Sequence, residues 1–566
     1  MDILSYYSEV NDKIKQGELN SLSSLQLDKP EFFNWVEDIF YPLNVLDHGN
    51  SDALIWKYKD LQKVFSFQAI YNASNQLVNY IRKHGGQKGD TVYSVLPLIP
   101  ENWISLICAI KGGFIIMPTA TNLTTHDLLQ RFNTLLPKII IAHKNQVDLI
   151  DEAEKIHGGQ IELKIIVGGK KEGWLSFEDI YDEETEASSV RTKSDDPFLY
   201  FFTSGTTGLP KIVVHTHFTY PFGHLTTSSW LGCIRGDIHY NISSPGWAKF
   251  AWSSFFAPWN CGATVFAYQT DSFLAEEQLQ AMEAHKITTF CGSPTVLRML
   301  IQEDISKYKL SLRSCCAAGE PLNPEVIDKW EKATGVNIRD GYGQTETTAL
   351  ICNLLGNHLK PGSMGTPTFL YDIGIFDDDG HEVAFFEEGV ICVRLNNKKN
   401  NGLFIEYLYD QERTSEVFKH DLYYTGDKAY KDKDGYIWFV GRNDDVIKAS
   451  GYRIGPFEVE SALIEHEDII ESAVVASPHT TRGYVVKAFI MLREGVKPSK
   501  ILADNIFSFA DNRLTKYKVP RIIEFPDSLP KTISGKIRRI ELRVDEVSHR
   551  QNPVHKEYEY FHKKYK

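Results

Sequence analysis

Apolar runs and helical repeats alternate along the first part of the chain. Apolar positions at helical spacing predict a helix over 67–82, and the apolar run that follows predicts a strand at 91–97. The alternation continues with a helix at 103–110, a strand at 114–117, a helix at 127–132 and a strand at 138–142. Alternation of this kind predicts an α/β fold with largely parallel sheets.

The pattern changes beyond residue 360, where short apolar runs separated by turn residues indicate a β-rich subdomain. A polar turn at 441–445 marks a boundary, and a compact α/β unit follows it. We therefore expect an α/β protein with a large N-terminal domain, 1–442, and a small C-terminal α/β domain, 443–566. The aromatic and polar residues 1–50 are expected to dock on the larger domain.

Composition and charge narrow the class of protein. Hydrophobic content of 42% and charged content of 24% are typical of a soluble globular protein. A formal charge of −13 without a long basic block argues against nucleic acid as a partner. Neither a signal peptide nor a membrane span is expected. The eight cysteines show no metal spacing, so we expect buried thiols in a reducing cytoplasm.

One stretch rich in glycine and hydroxyl groups lies between two predicted strands, at 203–211. Its glycines let the backbone approach a ligand, and its hydroxyls, N–H groups and lysine form a cradle for phosphate oxygens. The residues concerned are Thr203, Ser204, Gly205, Thr206, Thr207, Gly208 and Lys211. The stretch lacks the spacing of a Walker A loop. An ordinary glycine/threonine turn is the alternative interpretation.

Other predicted strands also end in turns that carry polar groups, at 319–322 and 341–346. Open α/β sheets bind ligands beyond the carboxyl ends of their strands, so these turns are candidates for a binding site. The histidines His215, His217 and His224 suggest a metal, but acidic or cysteine partners at ligand spacing are missing. We expect structural or pocket-lining histidines instead.

The chain resembles the acyl-adenylate-forming superfamily in six ordered blocks between residues 197 and 540. The blocks are 203–211, 318–321, 342–346, 424–427, 441–448 with 450–453, and 530–536. Within the superfamily the chain is most similar to the medium-chain acyl-CoA synthetase branch, which also carries the turn at 246–247.

This resemblance implies an ATP-dependent acyl-CoA synthetase that uses Mg²⁺ and CoA. A carboxylate is a poor acylating agent, so ATP converts it to an acyl-adenylate with release of pyrophosphate, and the CoA thiol then displaces AMP. By resemblance the loop at 203–211 holds the β- and γ-phosphates, Thr345 contacts the α-phosphate, and Glu346 helps to hold Mg²⁺. Lys536 would stabilise charge in the transition state.

The resemblance also implies a nucleotide pocket. Asp427 would bind both ribose hydroxyls, with help from Arg442. The residues expected around the adenine and along the adjoining turn are Gly319, Glu320, Pro321, Asp340, Gly341, Tyr342, Gly343 and Gln344.

The C-terminal domain carries two further parts of the implied site. Lys536 and the segment 450–452 cannot obviously serve one site at once, so the family resemblance implies a mobile C-terminal domain that rotates about a hinge near Asp444. After rotation Gly451 would border the pantetheine channel, and Arg453 would approach the acyl carboxylate. The residues expected at CoA are Ser450, Gly451, Tyr452, Val519, Pro520 and Arg521.

The acid itself is less closely defined by the sequence. Trp247 is expected to form one wall of its pocket. Acetyl-CoA synthetases have tryptophan where Tyr342 stands here, so the resemblance favours an acid longer than acetate, of medium chain length, branched or aromatic. Nearby aromatic residues suit such a pocket or belong to the core: Tyr220, Phe222, Trp252 and Phe255.

Two other functions stay open. An adenylating enzyme that loads a carrier-protein thiol is one, and a non-catalytic protein that binds a nucleotide or acyl-adenylate is the other. The expected partners are otherwise small molecules, namely the carboxylic acid, ATP and CoA, and a homo-oligomer is left open.

Overall fold

The computed structural model places most of the chain in α/β layers. It describes residues 1–203, 210–395, 402–442, 445–449, 452–479, 482–531, 537–551 and 555–563, with the backbone alone at positions 448, 452 and 453. The helices are α1 (Ile3–Gln16), α2 (Phe67–Lys83), α3 (Glu101–Gly112), α4 (Thr125–Thr134), α5 (Val147–His157), α6 (Thr219–Leu231), α7 (Ala248–Ala251), α8 (Ala257–Asn260), α9 (Ala275–Ala284), α10 (Pro294–Leu300), α11 (Pro324–Thr334), α12 (Gln411–Val417), α13 (Pro456–Ile464), α14 (Lys500–Arg513) and α15 (Arg539–Gln551).

The strands up to the β-rich region alternate with these helices. They are β1 (Asp52–Tyr58), β2 (Leu61–Ser66), β3 (Thr91–Val95), β4 (Ile115–Pro118), β5 (Ile139–His143), β6 (Leu163–Val167), β7 (Leu175–Ser176), β8 (Pro197–Thr203), β9 (Lys211–Thr216), β10 (Ile238–Asn241), β11 (Thr264–Gln269), β12 (Thr289–Gly292), β13 (Ser314–Ala318), β14 (Ile338–Tyr342), β15 (Ile351–Cys352) and β16 (Thr366–Pro367).

The remaining strands form the β-rich region and the C-terminal lobe. They are β17 (Ile373–Phe376), β18 (Gly389–Arg394), β19 (Glu406–Tyr407), β20 (Phe418–Lys419), β21 (Leu422–Lys431), β22 (Ile437–Arg442), β23 (Ile447–Ala449), β24 (Tyr452–Ile454), β25 (Ile469–His479), β26 (Gly483–Leu492), β27 (Ile522–Glu524) and β28 (Glu559–Phe561).

Two large sheets dominate the N-terminal part. One has nine strands in the order β16-β15-β14-β13-β12-β10-β11-β1-β2, and the other has eight in the order β19-β9-β8-β4-β3-β5-β6-β7. The inner strands of both pair in parallel, whereas the edge pairs such as β8–β9 are antiparallel. The predicted α/β class with largely parallel sheets is therefore confirmed.

The β-rich subdomain is also present. Strands β17, β18, β21 and β20 pair in that order, and β22 pairs with β21. In the smaller C-terminal lobe, α13, α14 and α15 accompany a four-stranded sheet, β25 to β28, and the β23–β24 hairpin. The boundary predicted after residue 442 falls next to positions 443 and 444, which lie outside the described residues.

The N-terminal segment packs into the main core, as predicted. Tyr6, Tyr7 and Val10 of α1 are almost fully buried, and Trp35 packs against the rings of Phe255 and Phe256. All eight cysteines are buried thiols, also as predicted. No helix within the described part of the chain combines the length and the apolar character that crossing a bilayer requires.

The C-terminal lobe contacts the N-terminal part through α13. The rings of Phe457 and Phe439 lie 6.4 Å apart, and Asn323 Nδ2 donates to the carbonyl of Ser461 at 3.3 Å. Gly455 lies against Val440, and a side chain at Gly455 would collide with the Val440 carbonyl. These contacts place the small lobe against strand β22 and the segment that follows β13.

Candidate active site

The hairpin β8–β9 carries the glycine-rich loop at its tip. Thr203 and Lys211 pair directly across the base of the loop, and residues 204–209 lie outside the described part of the chain. Lys211 is half-buried, with Nζ 5.6 Å from the centre of the Tyr407 ring. Burial and the nearby Arg413 lower the pKa of Lys211. The predicted phosphate cradle is therefore described at its two ends only.

Thr345 and Glu346 follow β14 and are fixed by hydrogen bonds. His215 Nε2 lies 2.7 Å from the carbonyl oxygen of Thr345, and the N–H of Phe404 donates to the carbonyl of Glu346 at 2.8 Å. The hydroxyl of Tyr407 donates to Glu346 Oε1 at 2.9 Å. Burial raises the pKa of Glu346, while the bond from Tyr407 lowers it. The two predicted residues therefore lie beside the base of the phosphate hairpin.

Asp427 lies on β21, across the site from these residues. Its Oδ2 accepts hydrogen bonds from the hydroxyl of Tyr342 at 2.6 Å and from Gln344 Nε2 at 2.7 Å. Tyr423 donates to the Gln344 side-chain oxygen at 2.8 Å and so fixes the amide. Arg442 of β22 lies opposite Asp427 in the antiparallel register of β21 and β22, and Arg442 is exposed. The structure thus brings the predicted ribose pair together with Tyr342 and Gln344.

The turn after β13 supplies the predicted adenine side. Gly319 has φ +108°, and a β-carbon there would meet nothing within 4 Å, so this backbone faces open space. Glu320 accepts from Thr295 at 3.2 Å and pairs with Arg298 at 3.4 Å. Pro321 adjoins them and is half-buried. The turn therefore presents its backbone, with Glu320 held back by its own partners.

Strand β14 supplies the other predicted adenine residues. Burial raises the pKa of Asp340 to about 8, and the N–H groups of Gly341 and Leu322 partly offset this. Glycine is required at two positions because a β-carbon on Gly341 would strike the Trp230 ring, and one on Gly343 would strike Trp252. These close contacts hold the end of β14 and the turn after it directly against the two tryptophan rings.

Trp247 lies after β10, half-buried, at the amino end of α7. Its neighbour Gly246 packs against the backbone of Ala120, where a β-carbon would come within 2.2 Å of the Ala120 nitrogen. The Trp247 turn therefore closes the gap between the nine- and eight-stranded sheets. The turn lies beyond the carboxyl ends of β4 and β10, the side of such sheets on which ligands bind.

The four aromatic residues left open between pocket and core separate into two pairs. Phe222 stacks on Phe218, and Phe255 packs against Trp35, so both belong to the core. Trp252 donates to the hydroxyl of Tyr220 at 3.0 Å and lies beneath Gly343. Tyr220 and Trp252 therefore support the floor of the site.

The predicted CoA residues of the C-terminal lobe that the structure describes with side chains also divide into core residues and a pocket residue. Val519 and Pro520 are buried, whereas Arg521 lines a pocket of about 240 Å³. The sequence interpretation missed two further cations of this pocket, Arg482 and Lys516. Lys516 lies among the basic residues that precede Arg521 in the sequence, whereas nothing local marks Arg482. The remaining lining residues are Ala449, Tyr484, Val485, Val486 and Tyr517.

Ser450, Gly451, Asp444 and Lys536 lie outside the described residues. Tyr452 and Arg453 lie on β24, and their backbones alone are described. Three positions after Lys536, Arg539 pairs with Glu460 at 2.7 Å, and the charge of Glu320 contributes to its raised pKa. The start of α15 therefore lies near the adenine side of the site.

Comparison with known proteins decides the family. Residues 44–400 match the AMP-binding enzyme family, and residues 458–536 match the AMP-binding enzyme C-terminal domain. The chain belongs to the AMP-binding enzyme family. It is an AMP-forming acyl-CoA synthetase, which joins a carboxylic acid to CoA through an adenylate. The resemblance inferred from the six sequence blocks is confirmed.

Several relatives of this acyl-CoA synthetase extend over almost the whole chain. The 4-hydroxybutyrate–CoA ligase 1 of Metallosphaera sedula is 45% identical over 97% of this chain and 96% of its own length. The mitochondrial acyl-coenzyme A synthetase ACSM3 of Mus musculus is 39% identical over 96% of this chain and 92% of its own. The structure of the anthranilate CoA ligase AuaEII with anthranoyl-AMP superposes with a TM-score of 0.85, at 31% identity, over 93% of this chain and 98% of that one.

Proposed function

We propose that the acyl-adenylate forms where the three N-terminal sheets meet, and that the acyl group then passes to CoA at the same place. The observation that carries this proposal is the hydrogen-bonded array around Thr345, Glu346 and Asp427, which joins all three sheets. ATP and a carboxylate are both anions, so their reaction requires fixed donors and cations. Lys211 and the hairpin loop then bind the β- and γ-phosphates, and Thr345 the α-phosphate.

Glu346 is proposed to help hold Mg²⁺. Its carboxyl group is buried, and the charge of Asp427 disfavours its ionised form further. A carboxylate oxygen in a region of excess negative charge is a suitable ligand for a hard divalent cation. Mg²⁺ bound there would neutralise phosphate charge. Glu346 and its hydrogen-bond partners would determine the position of the ion.

The pocket around Arg482, Lys516 and Arg521 is proposed to receive the phosphates of CoA. Arg482 lowers the pKa of Arg521, after the larger effect of burial, so an anion between them would relieve their repulsion. Tyr484 and Tyr517 add flat faces at the same pocket. A rotation of the C-terminal lobe about Asp444 would then deliver the CoA thiol to the adenylate, and Lys536 would act in the first half-reaction.

The acid is proposed to be longer than acetate, and of medium chain length, branched or aromatic. Tyr342 supports this proposal because its hydroxyl points to Asp427, on the nucleotide side. The relatives named for 4-hydroxybutyrate and anthranilate widen the range of acids to be tested. A hydrophobic pocket discriminates each methylene by only about 1–3 kcal/mol, so several acids should be accepted.

A panel of carboxylic acids tests this proposal. Acetate, 4-hydroxybutyrate, linear acids of four to ten carbons, branched acids, benzoate and anthranilate are incubated with ATP and Mg²⁺, with and without CoA. We expect acid-dependent pyrophosphate release, and acyl-CoA only when CoA is present. The proposal is contradicted if no acid of the panel causes pyrophosphate release, or if the acyl group is transferred equally well to a carrier-protein thiol. In Lys536→Ala, adenylation should fall by orders of magnitude while ATP binding persists, which separates an enzyme from a binding protein.

A further inference from the structure

We propose that His215 and Tyr407 are positioning residues, which fix Thr345 and Glu346 relative to the phosphate hairpin. This inference rests on the proposed roles of Thr345 and Glu346. Neither His215 nor Tyr407 is part of the motifs that identify the site, and each acts through its neighbour. Together they make two adjoining strands of the eight-stranded sheet, β9 and β19, responsible for positioning both residues.

The register of the sheet places the residues concerned on one face. Lys211, Val213 and His215 are alternate residues of β9, so their side chains point to the same side. Tyr407 of β19 pairs directly with Val213, and paired residues of an antiparallel ladder share a face. The face that begins at the base of the phosphate loop therefore continues through Tyr407 to His215.

His215 fixes the main chain of Thr345. The imidazole is fully buried, its ring centre lies 4.1 Å from that of Tyr220, and burial lowers its pKa to about 3. It is therefore neutral, and because a carbonyl only accepts, Nε2 carries the hydrogen that it donates to Thr345 at 2.7 Å. This bond ties the α-phosphate contact to β9.

Tyr407 fixes the side chain of Glu346. The chain around Tyr407 is hydrogen-bonded to β9 on both sides of this residue. The N–H of Ile405 donates to the carbonyl of Val214, and the N–H of Leu408 donates to the carbonyl of Ile212, each at 2.9 Å. The Tyr407 hydroxyl reaches Glu346 Oε1 at 2.9 Å, which selects one orientation of the carboxylate. One carboxylate oxygen is thus fixed, and the second oxygen is the one that we propose as the ligand of Mg²⁺.

The test compares single-atom changes by calorimetry of ATP binding at increasing Mg²⁺. Tyr407→Phe removes one hydroxyl, and we expect about a tenfold higher Mg²⁺ concentration for half-maximal enhancement of ATP binding. Tyr58→Phe is the matched control, because Tyr58 also donates to a carboxylate, Asp271, at 2.9 Å, on the surface. It should behave as the wild type. Equal Mg²⁺ dependence of the Tyr407→Phe variant and the wild type would overturn the role of Tyr407.

His215 is tested with two amides of different reach. In His215→Gln the amide nitrogen can occupy the place of Nε2, whereas in His215→Asn it is too short to reach Thr345. We expect wild-type ATP affinity in the glutamine variant and about a tenfold loss in the asparagine variant, with an unchanged Mg²⁺ midpoint in both. Equal losses in both variants would assign His215 a merely structural role.

ATP binding does not depend on which acid the enzyme activates. A wild type that binds ATP with Mg²⁺ but activates no acid would contradict the proposed function, and the variants would still decide the roles of His215 and Tyr407.

Discussion

Two groups of carboxylates in this enzyme differ in what balances their charge. In the C-terminal lobe Glu524, Glu546 and Glu559 approach one another closely enough to hold a metal ion. The ammonium group of Lys487 lies 2.6 Å from an oxygen of each of them, and this lysine is fully buried. Burial opposes the charge of Lys487, but the three glutamates outweigh it and raise its pKa.

The carboxylates of the candidate active site are held differently. Glu346 accepts from the hydroxyl of Tyr407, and Asp427 accepts from a hydroxyl and an amide. The hydroxyl and amide donors named here fix the direction of these carboxylates and carry no positive charge of their own. A cluster with its cation built in is structural, whereas Glu346, oriented by a neutral hydroxyl, suits the bound cation that we propose for it. Geometry alone would have selected the C-terminal cluster as the metal site.

The largest expected effect follows from removing the built-in cation. Lys487→Met removes the ammonium group that the three glutamates share, of which Glu546 is fully buried, and this should destabilise the C-terminal lobe by about 3–5 kcal/mol. Urea unfolding followed by a probe on this lobe measures the loss. Lys556→Met is the control, because Lys556 pairs with Glu524 alone and is partly exposed, so its loss should stay below about 1 kcal/mol. Equal effects of both substitutions would remove the distinction between the clusters.

The next effect concerns Asp427, which the family resemblance assigns to the ribose hydroxyls. Asp427→Asn keeps the size of the side chain but removes its charge, and hydrogen bonds to charged groups contribute about 1.5–3 kcal/mol. We therefore expect kcat/KM for ATP to fall by about ten- to a hundredfold, with little change in thermal stability. Asp271→Asn, which alters an exposed carboxylate that accepts from Tyr58, should leave kcat/KM unchanged. A melting temperature lowered in step with activity would indicate that Asp427 acts on folding.

Much of this arrangement was predictable from the sequence, for a physical reason. The alternation of apolar runs predicted an α/β fold with largely parallel sheets, because each strand and helix is specified locally. The motifs predicted Thr345, Glu346 and Asp427, which the structure brings together. His215 was expected only as a structural or pocket-lining histidine, and Tyr407 was not singled out in the sequence. Their bonds join residues 130 and 61 positions apart, and nothing local to either residue specifies such a pairing.

The missed cations of the pocket proposed for CoA have the same explanation, and they provide a third prediction. Arg482 precedes β26 and Arg521 precedes β27, and only the parallel pairing of these strands brings them together. Arg482→Ala should raise KM for CoA by about tenfold at low ionic strength and leave pyrophosphate release unchanged. Lys500→Ala, an exposed lysine paired with Asp504 on the same lobe, is the control. An equal loss of adenylation in Arg482→Ala would place Arg482 in the first half-reaction.

Asp340 represents a third way to balance a buried carboxyl, namely a proton, and gives the smallest expected effect. Burial raises its pKa to about 8 in the folded state, against about 3.9 in an unfolded chain. Between these values the folded protein holds a proton that the unfolded chain has lost, so its stability falls as the pH rises. Relative to Asp340→Asn, which cannot ionise at this position, the wild type should lose about 1 kcal/mol of unfolding free energy per pH unit between pH 5 and 7.

Chemical denaturation of the wild type and of Asp340→Asn at several pH values measures this difference. Asp12→Asn, at an exposed position of α1, serves as the control and should parallel the wild type at every pH. If Asp340→Asn also parallels the wild type, Asp340 is ionised in the folded enzyme at neutral pH. It would then belong with Glu346 and Asp427, as a carboxylate whose charge is oriented by neutral donors, here the N–H groups of Gly341 and Leu322.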